Sequence, residues 1–422
     1  MFPGRKKSFR EKIKSHLGLD PSNLPVITEQ FPAYNHANVQ LGMDEYVSTN
    51  GRNATSMGIQ GGSLLSFRDV NLSSLVAKDS WTSMFGIGTY KEGPITHSTF
   101  HLEGEETMKC VQKALYLVKN DTQPIAVLVR ESDNMFGASS GIFVECMAAE
   151  NNIADGFIKE LKAIIKEKNV YRGKILSLSQ TEDPSGGSSG QTGLKFHTVS
   201  PVTREQIILP DKLLERIERQ TIEAVKYSEA LKRAKRKLKR GILLHGVPGT
   251  GKTLTALYLA TQMEGRTVLM LTGRSQGLIE TSTEIARWLQ PSMIIIEDID
   301  LIAEERSQNG NCNTSIMFEL LNQMDGLSDD SDVLFLLTTN RPEVLEPALA
   351  SRPGRVDQAY EVMLPDDECR QKLIELYSDG LTLEVEQMDR LIQRTKGASG
   401  AFIYELMRKA ALFAAPEGEP IV

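Results

Sequence analysis

The second half of the chain alternates short apolar runs with stretches of helical spacing. Ile242-Leu243-Leu244, Thr267 to Leu271, Met293 to Ile296 and Val333 to Leu337 are apolar at consecutive positions. Strands buried on both faces of a parallel sheet read this way, whereas half-exposed strands alternate. Helices are predicted between them: after Thr253, over Thr283 to Leu289, and over Thr314 to Met324. After Pro365 the pattern turns wholly helical, with helices predicted over Asp367 to Tyr377, Val385 to Thr395 and Gly400 to Ala414. Pro210 opens a helix predicted to run from Asp211 to Arg240, with Leu213, Leu214, Ile217 and Ile222 on its buried side and Asp211 suited to cap it.

The first half is less regular. Pro124 to Arg130 and Lys174 to Leu178 read as strands. Ile153 to Lys168 places Phe157, Leu161, Ile164 and Ile165 at helical spacing. These elements predict a small α/β domain over 96–205, ending in a Pro-Ser-Gly connector at Pro184 to Gly190. Residues 1–95 mix Asn, Ser, Gly and Pro, and are expected to be irregular or poorly ordered apart from a basic helix over Arg5 to Leu17. The expected layout is therefore an irregular region (1–95), the small α/β domain (96–205), an α/β domain with a parallel sheet flanked by helices (206–365) and a small helical piece (366–422).

Composition narrows the classes. A 422-residue chain with 40% hydrophobic and 24% charged residues is an ordinary globular protein of two or three domains. The net charge of -7 gives no general attraction to nucleic acid or to an anionic membrane. Cys110, Cys146, Cys312 and Cys369 are far apart and lack metal-ligand spacing, which points to reduced thiols and a cytoplasmic setting. No apolar run reaches membrane-spanning length, and the basic start is not followed by the apolar stretch of a secretory signal. Seven of the ten residues from Leu231 to Arg240 are basic. They suit either a polyphosphate contact or a solvated helix end, and the acidic net charge favours the second.

The chemistry concentrates at Gly246-Val247-Pro248-Gly249-Thr250-Gly251-Lys252-Thr253-Leu254, between a predicted strand and a predicted helix. Glycines there let backbone N–H groups surround phosphate oxygens, and the helix start adds partial positive charge. Lys252 supplies a mobile cation for the terminal phosphates, and Thr253 a hydroxyl for Mg²⁺. Glu297 and Asp298 end the run Met293 to Ile296. Paired acids at a strand tip can hold a hard cation and orient an attacking water. Asn340 ends the next apolar run and offers an amide to the γ-phosphate or the water. Arg352 and Arg355 bracket Pro353-Gly354 and could reach a neighbouring molecule's phosphate, where such an arginine accelerates hydrolysis by roughly 10³–10⁵.

Together with Leu320-Leu321-Asn322-Gln323-Met324-Asp325-Gly326-Leu327, Asn340-Arg341-Pro342, Ser351-Arg352-Pro353-Gly354-Arg355-Val356-Asp357 and Gly397-Ala398-Ser399-Gly400-Ala401, these motifs resemble the AAA ATPase family, specifically its classical clade, over about 209–414. The resemblance implies a P-loop NTPase domain with a helical lid. It also implies a homo-oligomeric ring, usually a hexamer, with ATP and Mg²⁺ between subunits. Asn340 would be the sensor, Arg352 and Arg355 would act on the neighbouring subunit, and Gly400 and Ala401 would line the adenine–ribose side. The whole chain then reads as a protein-remodelling ATPase whose N-terminal half recognises a protein client, with a nucleotide-gated switch and a nucleic-acid-dependent ATPase as alternatives. Three departures stand out. The acids run Glu then Asp, similar to the branch of mitochondrial translocators of folded protein, so their roles could be exchanged. Leu271 to Ile279 carries no aromatic residue for gripping an extended polypeptide. The chain also stops soon after the third predicted lid helix, as a truncated lid would.

Overall fold

The computed structural model describes all residues except 1–6, 50, 62–69, 78–89, 120–122, 133–140, 183–187, 272–277, 301–314, 329, 344–355, 382–384 and 416–422. The chain divides into two units, Met1–Val170 with Gln180–Leu194, and Tyr171–Ser179 with Lys195–Val422.

The first unit is built on an antiparallel sheet. Its strands are β1 (Val26–Phe31), β2 (Asn53–Gln60), β3 (Lys91–Gly93), β4 (Thr96–His101), β5 (Thr107–Lys119), β6 (Pro124–Ser132) and β7 (Gly141–Met147), in the order β1-β7-β6-β5-β2-β3, with β4 also on β5. Helix α1 (Phe9–Leu17) lays Phe9, Ile13 and Leu17 on Leu115, Leu117, Ala126 and Leu128. Helices α2 (His36–Ser48) and α3 (Asn151–Glu167) pack on each other, α2 against β5 and α3 against β1 and β7. Alternate residues of a strand face opposite sides, so one sheet can serve both sets of helices.

This corrects the expectation for residues 1–95. Val26–Phe31, His36–Ser48 and Asn53–Gln60 are regular and belong to the same sheet unit as residues 107–147, so no boundary falls near 95. Their pattern is obscured by polar residues that the fold buries. Asn38 accepts from Val170 N (2.9 Å) and donates to Asn35 Oδ1 (2.9 Å), and His36 Nε2 is 2.8 Å from Val111 O. Gly42 stands where a Cβ would meet Ile165 Cγ1 at 2.8 Å, so close helix packing excludes the apolar side chain that would have marked the face.

The second unit carries a parallel sheet: β10 (Arg240–His245), β11 (Thr267–Leu271), β12 (Ser292–Ile296), β13 (Val333–Thr339) and β14 (Gln358–Glu361). With β8 (Ile175–Glu182) and β9 (Ser188–Phe196) the order is β14-β10-β13-β12-β11-β8-β9. The strand expected in the small N-terminal domain is thus part of this sheet, where Ile175, Leu176 and Ser177 pair parallel with Val268, Leu269 and Met270. An apolar strand does not encode which sheet edge it covers. The predicted connector falls between β8 and β9: its residues Ser188–Gly190 are strand, and 183–187 lie outside the described residues.

Helix α4 (Asp211–Glu218) covers the long helix predicted to Arg240 only in part. A π-turn follows at Arg219–Glu223, short helical pieces end at Arg233, Lys235 turns left-handed (φ 54°), and Arg240 already begins β10. The remaining elements are α5 (Lys252–Gln262), α6 (Ile279–Trp288), α7 (Ser315–Asp325), α8 (Asp367–Tyr377), α9 (Val385–Arg394) and α10 (Gly400–Ala414). The sheet and α5 share one core, including Ile242, Leu244, Leu259, Met293, Ile295 and Leu336. The last three helices close a separate small core of Leu373, Ile374, Ile392, Ile403 and Met407. The expected α/β fold with a parallel sheet, flanking helices and a helical lid is the fold observed.

Candidate active site

The C-terminal tips of β10, β12 and β13 lie side by side, since β10 and β12 both pair with β13. Open parallel sheets place their ligand sites at this end. After β10 the chain turns through Gly246 (φ 144°), Gly249 (φ 78°) and Gly251 (φ 98°) before α5 begins. Gly246 is required twice over, because a Cβ there would lie 2.3 Å from Val362 O, and Val362 N is bound to His245 O (2.7 Å). Thr250 Oγ1 donates to Val247 O (3.0 Å), closing the loop on itself.

Lys252 is buried at the first position of α5, and its ammonium donates to Gly246 O (2.8 Å) and Val247 O (2.9 Å). Burial lowers its pKa, while the charges of Asp298 and Asp300 act in the opposite direction. Glu297 is raised above the usual carboxylate value by burial, with a hydrogen bond from Thr253 opposing and the Asp298 charge adding to the rise. Its Oε1 is buried with no hydrogen-bond partner among the described residues. Asp298 sits at φ 46°, a left-handed conformation that Asp tolerates better than most residues. Its N–H donates to Thr338 Oγ1 (3.0 Å), and its Oδ1 accepts from Asn340 Nδ2 (2.9 Å). Asp300 is 2% exposed, and its Oδ1 accepts from Thr339 Oγ1 (2.8 Å) and Asn340 N (3.2 Å).

A cavity of about 470 Å³ lies beside these groups. Pro248, Gly249, Thr250, Gly251, Lys252, Thr253, Leu254, Asp298 and Asn340 line one part of it, and Gly400 and Ala401 another. Ala401 N donates to Gly249 O (3.0 Å), so the start of α10 touches the glycine loop directly. Ser399 caps α10 by accepting from Phe402 N (3.3 Å). Of the expected site residues, Gly246 to Leu254, Glu297, Asp298, Asn340, Gly400 and Ala401 are brought to this region, although Gly246, Val247 and Glu297 are not part of the cavity wall. Arg352, Arg355 and the segment 272–277 lie outside the described residues. The segment Leu320 to Leu327 ends α7, where Lys239 Nζ donates to Met324 O (2.8 Å) and Leu327 O (3.4 Å).

The sequence did not reveal the far wall of the cavity. Ile207, Ile208, Leu209 and Pro210 precede α4, and Met363, Pro365, Cys369, Leu373, Tyr377 and Tyr404 come from the end of the sheet domain and from α8 and α10. Tyr377 and Tyr404 meet edge to face, with centroids 5.1 Å apart. Ile207 and Leu209 pack into the sheet core while Ile208 packs into the lid core, so this alternation pins one short segment between both. An apolar slot beside a phosphate loop suits a nucleobase. The one signal available was the alternation at 207–209.

Comparison with known proteins fits this geometry. Residues 242–364 match the family described as ATPase family associated with various cellular activities (AAA). Over 288 residues the chain is 29% identical to a proteasome-activating nucleotidase of Methanothermobacter thermautotrophicus, covering 64% of this chain and 70% of that protein. It is 33% identical over 188 residues to a 26S proteasome regulatory subunit S10B homolog of Arabidopsis thaliana, covering 42% of this chain. That match covers 47% of the relative, so the chain spans about half its length. A cell division cycle protein 48 homolog of Archaeoglobus fulgidus is 34% identical over 219 residues, 48% of this chain and 30% of that protein.

Proposed function

We propose that the chain is an ATP-hydrolysing, ring-forming protein-remodelling ATPase, with the first unit recognising a protein client; the match of residues 242–364 to the AAA family supports this reading. The observation that carries this reading is the convergence of the glycine loop, Lys252, Thr253, Asp298 and Asn340 on one cavity with an apolar slot at its other end. The loop N–H groups and Lys252 bind the β- and γ-phosphates, and the slot takes the adenine.

Thr253 and Glu297 fit Mg²⁺: both offer hard oxygen donors, and Glu297 Oε1 is buried without a hydrogen-bond partner among the described residues. When bound, the cation neutralises phosphate charge. Asp298 aims the attacking water and takes its proton as the water oxygen bonds to the γ-phosphorus and the bridge to the β-phosphate breaks. Asn340 holds the Asp298 carboxylate and reads the γ-phosphate. Arg352 and Arg355 complete the site of the next subunit in a homo-oligomer, as a hexamer would arrange them. On this reading the reversed acids keep separate duties, Glu297 for metal and Asp298 for water.

The absence of an aromatic residue between Leu271 and Ile279 favours one variant of this reading, in which ATP switches partner affinity without threading. ATP-driven unfolding of a tightly folded client domain would exclude that variant. We assign no nucleic-acid role to the basic run. Lys239 is bound to Met324 O and Leu327 O, Arg240 to Gln220 and Lys232 to Glu229. Cys110, Cys146 and Cys369 are buried free thiols, in keeping with a reducing, cytoplasmic compartment. No helix among the described residues is long and apolar enough to cross a membrane. The direct test is ATP turnover by the full chain and by Lys252→Ala. A large drop in the variant is expected, and equal turnover would remove the proposal.

A further inference from the structure

The proposed mechanism uses Asp298 and Asn340 but leaves a third acid unexplained. Asp300 is buried at 2% exposure, and its charge acts on the Lys252 ammonium without a direct hydrogen bond to it among the described residues. Burying a carboxylate is costly unless hydrogen bonds replace its water. Both donors that Oδ1 receives come from the tip of the neighbouring strand: the Thr339 hydroxyl and the Asn340 N–H.

Two further bonds join the same strand tips. Asp298 N–H reaches Thr338 Oγ1, and the Asn340 amide reaches Asp298 Oδ1. Thr339 Oγ1 also accepts from Arg341 N (3.0 Å), so the hydroxyl that grips Asp300 anchors the turn leaving β13. Asn340 is thereby fixed at its main chain by Asp300, while its side chain holds Asp298. Without the first contact, the main chain of Asn340 would lose the carboxylate that anchors it.

We infer that Asp300 is a positioning residue for hydrolysis, clamping Thr339 and Asn340 so that the Asn340 amide stays in register with the Asp298 carboxylate. This rests on the reading of Asp298 as the group that directs water. Asp300 lies outside the cavity wall, and its hydrogen bonds reach the site through Asn340. Its work requires an acceptor oxygen at this place rather than a negative charge, and that distinguishes it from an electrostatic role.

The test compares Asp300→Ala, Asp300→Asn, Thr339→Val and Asn340→Ala in the full chain, measuring melting temperature, affinity for a slowly hydrolysed ATP analogue, and kcat. Asp300→Ala and Thr339→Val are expected to lose roughly tenfold or more in kcat, with analogue affinity within about threefold of wild type. Asp300→Asn keeps the acceptor oxygen and should retain kcat within about threefold. The losses of Asp300→Ala and Asn340→Ala should not multiply when combined, because both break one unit. An unchanged kcat in folded Asp300→Ala, a kcat for Asp300→Asn as low as for Asp300→Ala, or multiplicative losses would each overturn the inference. Should Asp300→Ala fail to fold, Thr339→Val and Asp300→Asn still decide: kcat unchanged in the first, or lost in the second, overturns it. Wild type and Lys252→Ala run alongside. Equal turnover of those two refutes the ATPase reading itself, whereas an active wild type with unaffected Asp300 variants refutes only the clamp.

Discussion

Gly249→Ala probes the contact between the glycine loop and the lid. Gly249 has φ 78°, and an added Cβ would lie 2.8 Å from Ser399 Oγ and 3.0 Å from Ala401 Cβ. The left-handed backbone alone costs an alanine roughly 1–2 kcal/mol. Two contacts inside van der Waals distance add overpacking of about 1–2 kcal/mol, because Ser399 is held as the α10 cap and Ala401 by its bond to Gly249 O. A total near ~3 kcal/mol at ~2–4 °C per kcal/mol for a unit of this size predicts a melting temperature lower by roughly 6–12 °C. Differential scanning calorimetry of the nucleotide-free chain reads it. Ser399→Gly removes the nearer clashing atom, and as a cap change costs only a few tenths of a kcal/mol. The double variant should therefore regain about 1 kcal/mol of the loss. A Gly249→Ala protein that melts within about 2 °C of wild type, or a Ser399→Gly change that gives no relief, would show that the loop and lid are not packed as described.

Two further outcomes follow from the same cavity. Burial, followed by the hydrogen bond and charge of Asp366, pushes the Cys369 thiol from 9.0 up to about 12, and a raised pKa keeps it neutral at physiological pH. Its thiolate fraction near pH 8 is then about 10³-fold below that of an unperturbed thiol, so alkylation in a Cys312→Ser background should be slow, rise about tenfold per pH unit between pH 7 and 9, and slow further with an ATP analogue bound; labelling at the rate of a free thiol would contradict the burial. Tyr404→Ala removes the edge-to-face partner of Tyr377 and should weaken ADP binding roughly three- to tenfold by calorimetry, while Tyr404→Phe should not; wild-type affinity in Tyr404→Ala would take the aromatic pair out of the base slot.

How far the site could be read from sequence follows from how local its parts are. Gly246 to Leu254 is consecutive, and its strand and helix flanks are its immediate neighbours, so both chemistry and fold could be inferred together. Glu297, Asp298 and Asn340 each end an apolar run, and tip positions of parallel strands converge whatever the loops between them do. The base slot is different. Ile207, Met363, Leu373, Tyr377 and Tyr404 come from separate segments, and Leu373 and Tyr377 occupy ordinary amphipathic positions of α8. Nothing local separates such a residue from core. The N-terminal unit was hidden for a related reason. The buried side of α2 interleaves His36, Asn38 and Gly42 with Ala37, Val39, Met43 and Tyr46, which blurs its apolar spacing, and the half-exposed β1 and β2 are pinned by partners more than fifty residues away.

The reversed acids show how local geometry can absorb an unusual sequence. Glu297 follows the last residue of β12, and its N–H remains on Leu271 O (3.1 Å), so its backbone stays in line with the sheet. From there a long side chain reaches the Thr253 hydroxyl at the start of α5. Asp298 has one methylene less than glutamate, yet its carboxylate lines the cavity. The left-handed turn at Asp298 carries the shorter arm toward the site, and Thr338 Oγ1 and Asn340 Nδ2 hold it there. Exchange of the two acids is therefore not neutral. Glu297→Asp would withdraw the carboxylate from Thr253, and Asp298→Glu would press a longer arm against Asn340. On the proposed division of labour, the double exchange should lose more hydrolysis than either single change costs in nucleotide binding, because binding relies on the glycine loop and hydrolysis on the tips of β12 and β13.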